Sequence, residues 1–207
     1  MMHLGKTANT TMNRLTAAVL LSAASITSAQ ELSVSPFFSS YAVIQRDEQI
    51  RIWGTTEPRE KVTAQFNGIS AEATADDTGR WQLDFPAMKA GGPYTLTVSD
   101  DDETVTSKNI LIGDVWVCSG QSNMGFRLEN DIRGAETIAN AKNDLVRLMQ
   151  VNRRTSNDPI ESVDSRGWRP DRPDYAERFS AVGYYFGQQI QSELGVPVGL
   201  IESTWGG

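Results

Sequence analysis

The residues best placed to do chemistry lie in one stretch, VWVCSGQSNMGFRLEN, from Val115 to Asn130. An apolar, β-branched run ends there in Gly-Gln-Ser-Asn-Met, which sets Ser122 in a turn. A serine at the C-terminal end of a parallel strand stands where open α/β sheets place their ligands. Such a turn exposes the hydroxyl and aims backbone N–H groups at the place where an oxyanion would form. A serine nucleophile also needs a base for its proton, normally a histidine. The sequence holds one histidine, His3, remote from the serine along the chain. The same residues also fit a plain strand-ending turn.

Neighbouring signatures fit less well. The nucleophile elbow Gly-x-Ser-x-Gly matches at Gly120 and Ser122, but position 124 is Met124, and Gly125 comes one residue late. A phosphate-binding P-loop fails because no Gly-Lys-Ser/Thr follows. Cys118 is the sole cysteine, which rules out an intrachain disulfide and a zinc site of the usual Cys/His kind. In its apolar run it reads as a small buried hydrophobe. The acidic run Asp100–Glu103 lacks the ligand spacing and glycine of an EF-hand and reads as a solvated hairpin tip. No metal or cofactor is implied.

The elements that must position Ser122 fall into two regions. Residues 30–108 are read as a small antiparallel β-sandwich. QIRIWG (49–54), KVTAQF (61–66), RWQLDF (80–85) and PYTLTVS (93–99) alternate with period two, and turn signals stand between them at Asn67-Gly68, Asp76–Gly79 and Gly91-Gly92. From residue 109 to 207 the pattern changes. ILIGDVWVC reads as a strand buried on both faces, LVRLMQV (145–151) as a second, and VPVGLIEST (196–204) as a third. Phe179, Val182, Phe186, Ile190 and Leu194 recur at steps of three and four, predicting one apolar helix face, stopped by Gly195 and Pro197. Strand, helix, strand predicts a parallel α/β sheet. Residues 153–174, rich in Arg, Asp, Ser and Pro, read as a long surface loop.

Residues 1–29 have the form of an export signal. Arg14 gives a positive start, Leu15–Ile26 an apolar core, and Thr27-Ser28-Ala29 a small-residue cleavage site. The apolar core is short of the ~20 residues that span a bilayer. Export to the periplasm or the medium is expected, and cleavage would remove His3. The net charge is −7, and residues 1–29 hold Lys6 and Arg14 but no acid, so the remainder carries −9. An acidic chain repels phosphate backbones, so neither nucleic acid nor an anionic membrane is expected as a partner. Five tryptophans offer flat surface suited to stacking on sugar rings.

The segment LIGDVWVCSGQSNM resembles the signature of the sialate O-acetylesterases, carbohydrate esterases of the SGNH-hydrolase group. Three further segments are similar in order: SSYAVIQRDEQIRIWGTTEPREKVTAQFNG, TGRWQLDFPAMKAGGPYTLTVS and FSAVGYYFGQQIQSELGVPVGLIESTWGG. The resemblance implies a β-sandwich followed by the start of a flavodoxin-like α/β domain. It makes Ser122 the nucleophile that attacks an acetyl carbonyl. The N–H of Ser122 and one from the Gly206-Gly207 turn would form part of the oxyanion hole. Gln121 and Asn123 would orient the turn or touch substrate. Trp205 is a candidate for stacking on a sugar, and Arg127 for binding a sialic acid carboxylate in a bidentate way. Family members usually carry an acid or amide where this chain has Gly125.

The family's remaining oxyanion donor and its Asp-x-x-His base pair lie beyond the Gly-Gly turn. The chain is therefore expected to be an N-terminal fragment, with little esterase activity alone and poor folding beyond its β-domain. Acetylated sialic acid is the first expected substrate, another acetylated carbohydrate such as xylan the second. A carbohydrate-binding module without catalysis is the reading from a different class.

Overall fold

The computed structural model of the chain describes Met1, residues 30–158, 160 and 162–206. The segment expected to be an export signal, with His3, and Gly207 lie outside the described residues. Seven strands precede the serine strand: β1 (Ser33–Val34), β2 (Val43–Gln45), β3 (Ile50–Thr55), β4 (Lys61–Phe66), β5 (Ile69–Thr74), β6 (Arg80–Phe85) and β7 (Gly91–Ser99). Then come β8 (Thr104–Gly120), α1 (Gly134–Ala139), β9 (Val146–Val151), β10 (Ser165–Pro170), α2 (Pro173–Ala176), α3 (Ala181–Leu194) and β11 (Val198–Thr204). No described helix is long and apolar enough to cross a membrane.

Period-two patterns form the strands expected of them. In β4 and β6 every second residue is buried: Val62, Ala64 and Phe66 on one, Trp81, Leu83 and Phe85 on the other. β1, β3 and β6 make a three-stranded antiparallel sheet. Its inner face meets β4 and β7 in a common core, with Phe66 edge-on to Phe85 at 5.9 Å.

The other strands form one mixed sheet in the order β10-β9-β11-β8-β7-β4-β5, with β2 also paired to β8. β8 joins its two characters. Over Thr104–Ile112 it pairs antiparallel with β7, and over Asp114–Gly120 it pairs parallel with β11. The strand thus runs through position 108, where the sequence pattern changes. The residue after it, Asn109, has φ 57°, and the strand continues unbroken through Gly113 to Gly120. Arg46, just past β2, holds the junction by donating from Nε to Asp114 at 2.7 Å and from Nη2 at 3.2 Å.

β9 and β11 are covered on both faces, as parallel strands require. Val146, Leu148, Val198 and Leu200 pack under α3, while Met149 and Ile201 join the core on the opposite face.

Two expectations are corrected. The apolar stripe of α3 faces the core only in part: Phe179 is buried just before the helix and Ile190 packs against the same cluster, but Val182, Phe186 and Leu194 are 50%, 38% and 51% exposed, and the buried residues within the helix are Ala181, Gly183, Tyr184 and Gly187. Small residues win because the helix lies very close to the sheet. A Cβ on Gly187 would stand 2.4 Å from Leu200 Cδ1, and one on Gly183 2.9 Å from Cys118 Sγ. Phe186 instead lies edge-on against half-exposed Trp116 at 5.0 Å. The second correction is the supposed loop 153–174, which contains β10 and the start of α2. β10 is fixed by antiparallel pairing with β9 and by buried Trp168, whose Nε1 donates to Phe37 O at 2.9 Å.

Candidate active site

β8 delivers Ser122 by ending at Gly120, whose φ of 150° turns the chain into a conformation that suits glycine. A single helical turn follows. Gly125 N donates to Gln121 O at 2.8 Å, and Phe126 N donates to Asn123 O at 3.3 Å. The backbones of Gln121 and Asn123 therefore close the turn. Their side chains are exposed and line a cavity of about 490 Å3 with Ser122, Met124 and Val182. Among the described residues none accepts from the Ser122 N–H, so that donor is open to a ligand.

β11 brings the second half. Paired parallel to β8 from Val198 to Thr204, it ends level with Gly120, and Trp205 N donates to Gly120 O at 3.0 Å. Gly206 then passes directly beside the serine. A Cβ placed there would lie 3.5 Å from Ser122 Oγ and 3.6 Å from Ser122 N. Residues 84 positions apart thus meet at one sheet end, and glycine leaves the approach to the hydroxyl free. Trp205 is half exposed and lines a smaller cavity of about 140 Å3 with Arg153 and Ile160. Arg127 donates from Nη1 to Glu129 at 3.4 Å, so its charge already has a partner.

The N-terminus of α3 clamps the serine turn. Ser180 caps the helix by accepting from Gly183 N at 3.1 Å, the capping role typical of serine. Its hydroxyl also donates to Met124 Sδ at 3.4 Å, and Ala181 N donates to Phe126 O at 2.8 Å.

Glu202, a residue the sequence pattern did not single out, ties this assembly together. It is buried, and its carboxylate accepts from Ser180 N, Gln150 Nε2 and Thr204 Oγ1, each at 3.0 Å. A carboxylate supplied with three donors is held in place despite its burial. Its only mark in the sequence is a lone acid within VGLIEST.

Cys118 is buried beneath α3. Burial, with a smaller contribution from the Glu202 carboxylate, pushes its thiol up to about 11. The neutral thiol is a poor nucleophile, which leaves Ser122 as the exposed nucleophilic group of the turn. No group of three or more potential metal ligands occurs among the described residues.

No family model matches the chain. Curated sialate O-acetylesterases from Pongo abelii and Homo sapiens are each 30% identical to it over 176 residues, which is 75% of this chain and 33% of theirs. The Mus musculus protein of that name is 28% identical over 190 residues, 83% of this chain and 35% of its own. A crystal structure of a carbohydrate acetylesterase from Xanthomonas citri superposes with a TM-score of 0.81 at 34% identity, covering 84% of this chain and 40% of that one. The chain spans about a third of the length of the curated relatives it matches. By these relatives, it belongs to the sialate O-acetylesterase family.

Proposed function

We propose that this chain supplies the nucleophile and the first oxyanion donors of a carbohydrate O-acetylesterase acting on acetylated sialic acids. Ser122 Oγ attacks the acetyl carbonyl as its proton passes to a base. The carbonyl oxygen, now negative, is met by the N–H of Ser122 and by one from the Gly206-Gly207 turn. Collapse expels the sugar hydroxyl, which takes up a proton, and leaves an acetyl ester on Ser122. Water then releases acetate and restores the serine. By the family resemblance the base is an Asp-x-x-His pair that follows the Gly-Gly turn.

The observation that carries this reading is the contact of Gly206 with Ser122 at the shared end of parallel β8 and β11. It supports a backbone cradle, drawn from distant residues, of the kind acyl transfer requires. In the same reading, residues 30–108 are the β-sandwich domain and 109–207 begin the SGNH-type α/β domain. Residues 1–29 serve as an export signal.

Acetate release from 9-O-acetylated sialic acid, set beside release from acetylated xylan, tests the substrate. Faster turnover of the sialic acid is expected, and preference for xylan would move the assignment to a neutral polysaccharide. Acid quenching during turnover should leave an acetyl group on the peptide Asn109–Arg127, at Ser122.

A further inference from the structure

The two proposed oxyanion donors come from different elements, the turn after β8 and the end of β11. Donors of this kind act only if they are fixed before the charge develops, so the spacing of the two elements has to be set. One backbone bond contributes, from Trp205 N to Gly120 O at 3.0 Å. The remaining links are made by side chains, and they converge on Glu202.

The two oxygens of this buried carboxylate serve different elements. Oε2 accepts from Ser180 N, where α3 begins, and from Gln150 Nε2 on β9, each at 3.0 Å. Oε1 accepts from Thr204 Oγ1 near the end of β11, also at 3.0 Å. Each arm then reaches the serine turn. On the first, Ser180 Oγ donates to Met124 Sδ and Ala181 N donates to Phe126 O, so a shift at the start of α3 moves the turn that carries Ser122. On the second, Thr204 Oγ1 lies 3.3 Å from the place a Cβ on Gly125 would take, and Thr204 stands two residues before Gly206. All three donors to Glu202 are neutral, so directed hydrogen bonds hold it. Glu202 takes no part in the wall of the Ser122 cavity, and it acts through these neighbours.

We infer that Glu202 is a positioning residue of the esterase site: its carboxylate sets the distance between the Ser122 turn and Gly206 by bonding α3 with one oxygen and β11 with the other. The inference rests on the esterase reading of Ser122 and adds a residue to it. A glutamine can keep the bonding pattern. Its Oε1 would accept from Ser180 N and Gln150 Nε2, and its Nε2 would donate to Thr204 Oγ1 once that hydroxyl turned. A leucine keeps the bulk and none of the bonds. Positioning therefore separates Glu202→Gln from Glu202→Leu, whereas a proton-transfer role would make both inactive.

The test measures kcat and KM on an O-acetylated sugar for the chain joined to the Asp-x-x-His pair that the family resemblance implies, with kcat divided by the folded fraction. A purely structural role would lower the folded fraction and leave this ratio unchanged. Glu202→Leu is expected to lower the ratio about ten- to a hundredfold at unchanged KM, the scale of a displaced donor. Glu202→Gln should stay within about threefold of the parent, the scale of one rearranged hydrogen bond. Thr204→Val cuts one arm only and should lower the ratio about three- to tenfold, which keeps the test decisive should the leucine variant fail to fold. In the chain alone, the amide NMR signals of Ser122 and Gly206 should move together in Glu202→Leu and hold their places in Glu202→Gln. An undiminished ratio in the leucine and valine variants, a glutamine variant as impaired as leucine, or a rise in KM at constant kcat would overturn the proposal. Ser122→Ala separates the two readings: turnover that survives it refutes the esterase assignment, and the amide signals then decide the positioning role by themselves.

Discussion

At the scale of single residues, Ser122, Gly206 and Glu202 do different work. Ser122 is exposed, whereas Gly206 matters in the proposed site for what it lacks. Gly206→Ala places a methyl group 3.5 Å from Ser122 Oγ, in the space where the proposed reaction brings the acetyl group. It should lower kcat/KM by about ten- to a hundredfold, the scale of a displaced reacting group, while thermal denaturation stays unchanged. Glu202→Ala leaves Ser180 N, Gln150 Nε2 and Thr204 Oγ1 without their acceptor. Of these only Ser180 N is fully buried, and one unsatisfied buried donor costs about 1–3 kcal/mol, so a loss of about 1–3 kcal/mol is expected in urea denaturation. Cys118 gives a pH-dependent prediction. Its folded pKa lies near 11, above its ordinary 9.0, so the folded state holds the proton more tightly. The associated stability is present below pH 9 and is lost as pH rises from 9 to 11. Alkylation of native protein at pH 8 should be slow and should become fast once the chain unfolds.

At the scale of elements, the strands were legible wherever period-two alternation met clear turn residues, as in KVTAQF and RWQLDF. The serine strand and β11 were legible from their continuous apolar runs, and Ser122 from the turn that ends one of them. What escaped depends on distant partners. β10 exists because Trp168 finds Phe37, 131 positions earlier in the chain. The α3 stripe misleads because hydrophobicity there does not report distance to the sheet. The glycines approach Leu200 and Cys118, while Val182, Phe186 and Leu194 turn outward. Gly187→Val should therefore destabilise the chain by about 1–3 kcal/mol through overpacking, although valine is the better helix former. Val182→Ser, on the face that the periodicity favours, should change stability by less than about 0.5 kcal/mol. A larger effect at Val182 than at Gly187 would contradict this packing. Glu202 was illegible because one acid in an apolar run does not reveal its three donors.

At the scale of the whole molecule, β8 makes the antiparallel and parallel regions parts of one sheet, and one core cluster draws residues from both. Trp168, Met149 and Ile201 pack in the same cluster as Ile44, Ile112 and Phe66. Trp168→Ala, at a fully buried side chain, should cost about 3–5 kcal/mol and lower stability on both sides of β8 together. Tryptophan fluorescence and far-ultraviolet dichroism should then report one coincident transition, and separate transitions would contradict the shared core. The same sheet brings Gly120, Ser122 and Gly206 to one end, so the proposed turnover would depend on the assembly as well as on the serine. The most direct test is acetate release from an O-acetylated sugar by this chain joined to the Asp-x-x-His pair that the family resemblance implies, with Ser122 and with Ser122→Ala, under matched folding. Loss of turnover by about a thousandfold or more is the predicted result, and undiminished release by Ser122→Ala would contradict the account.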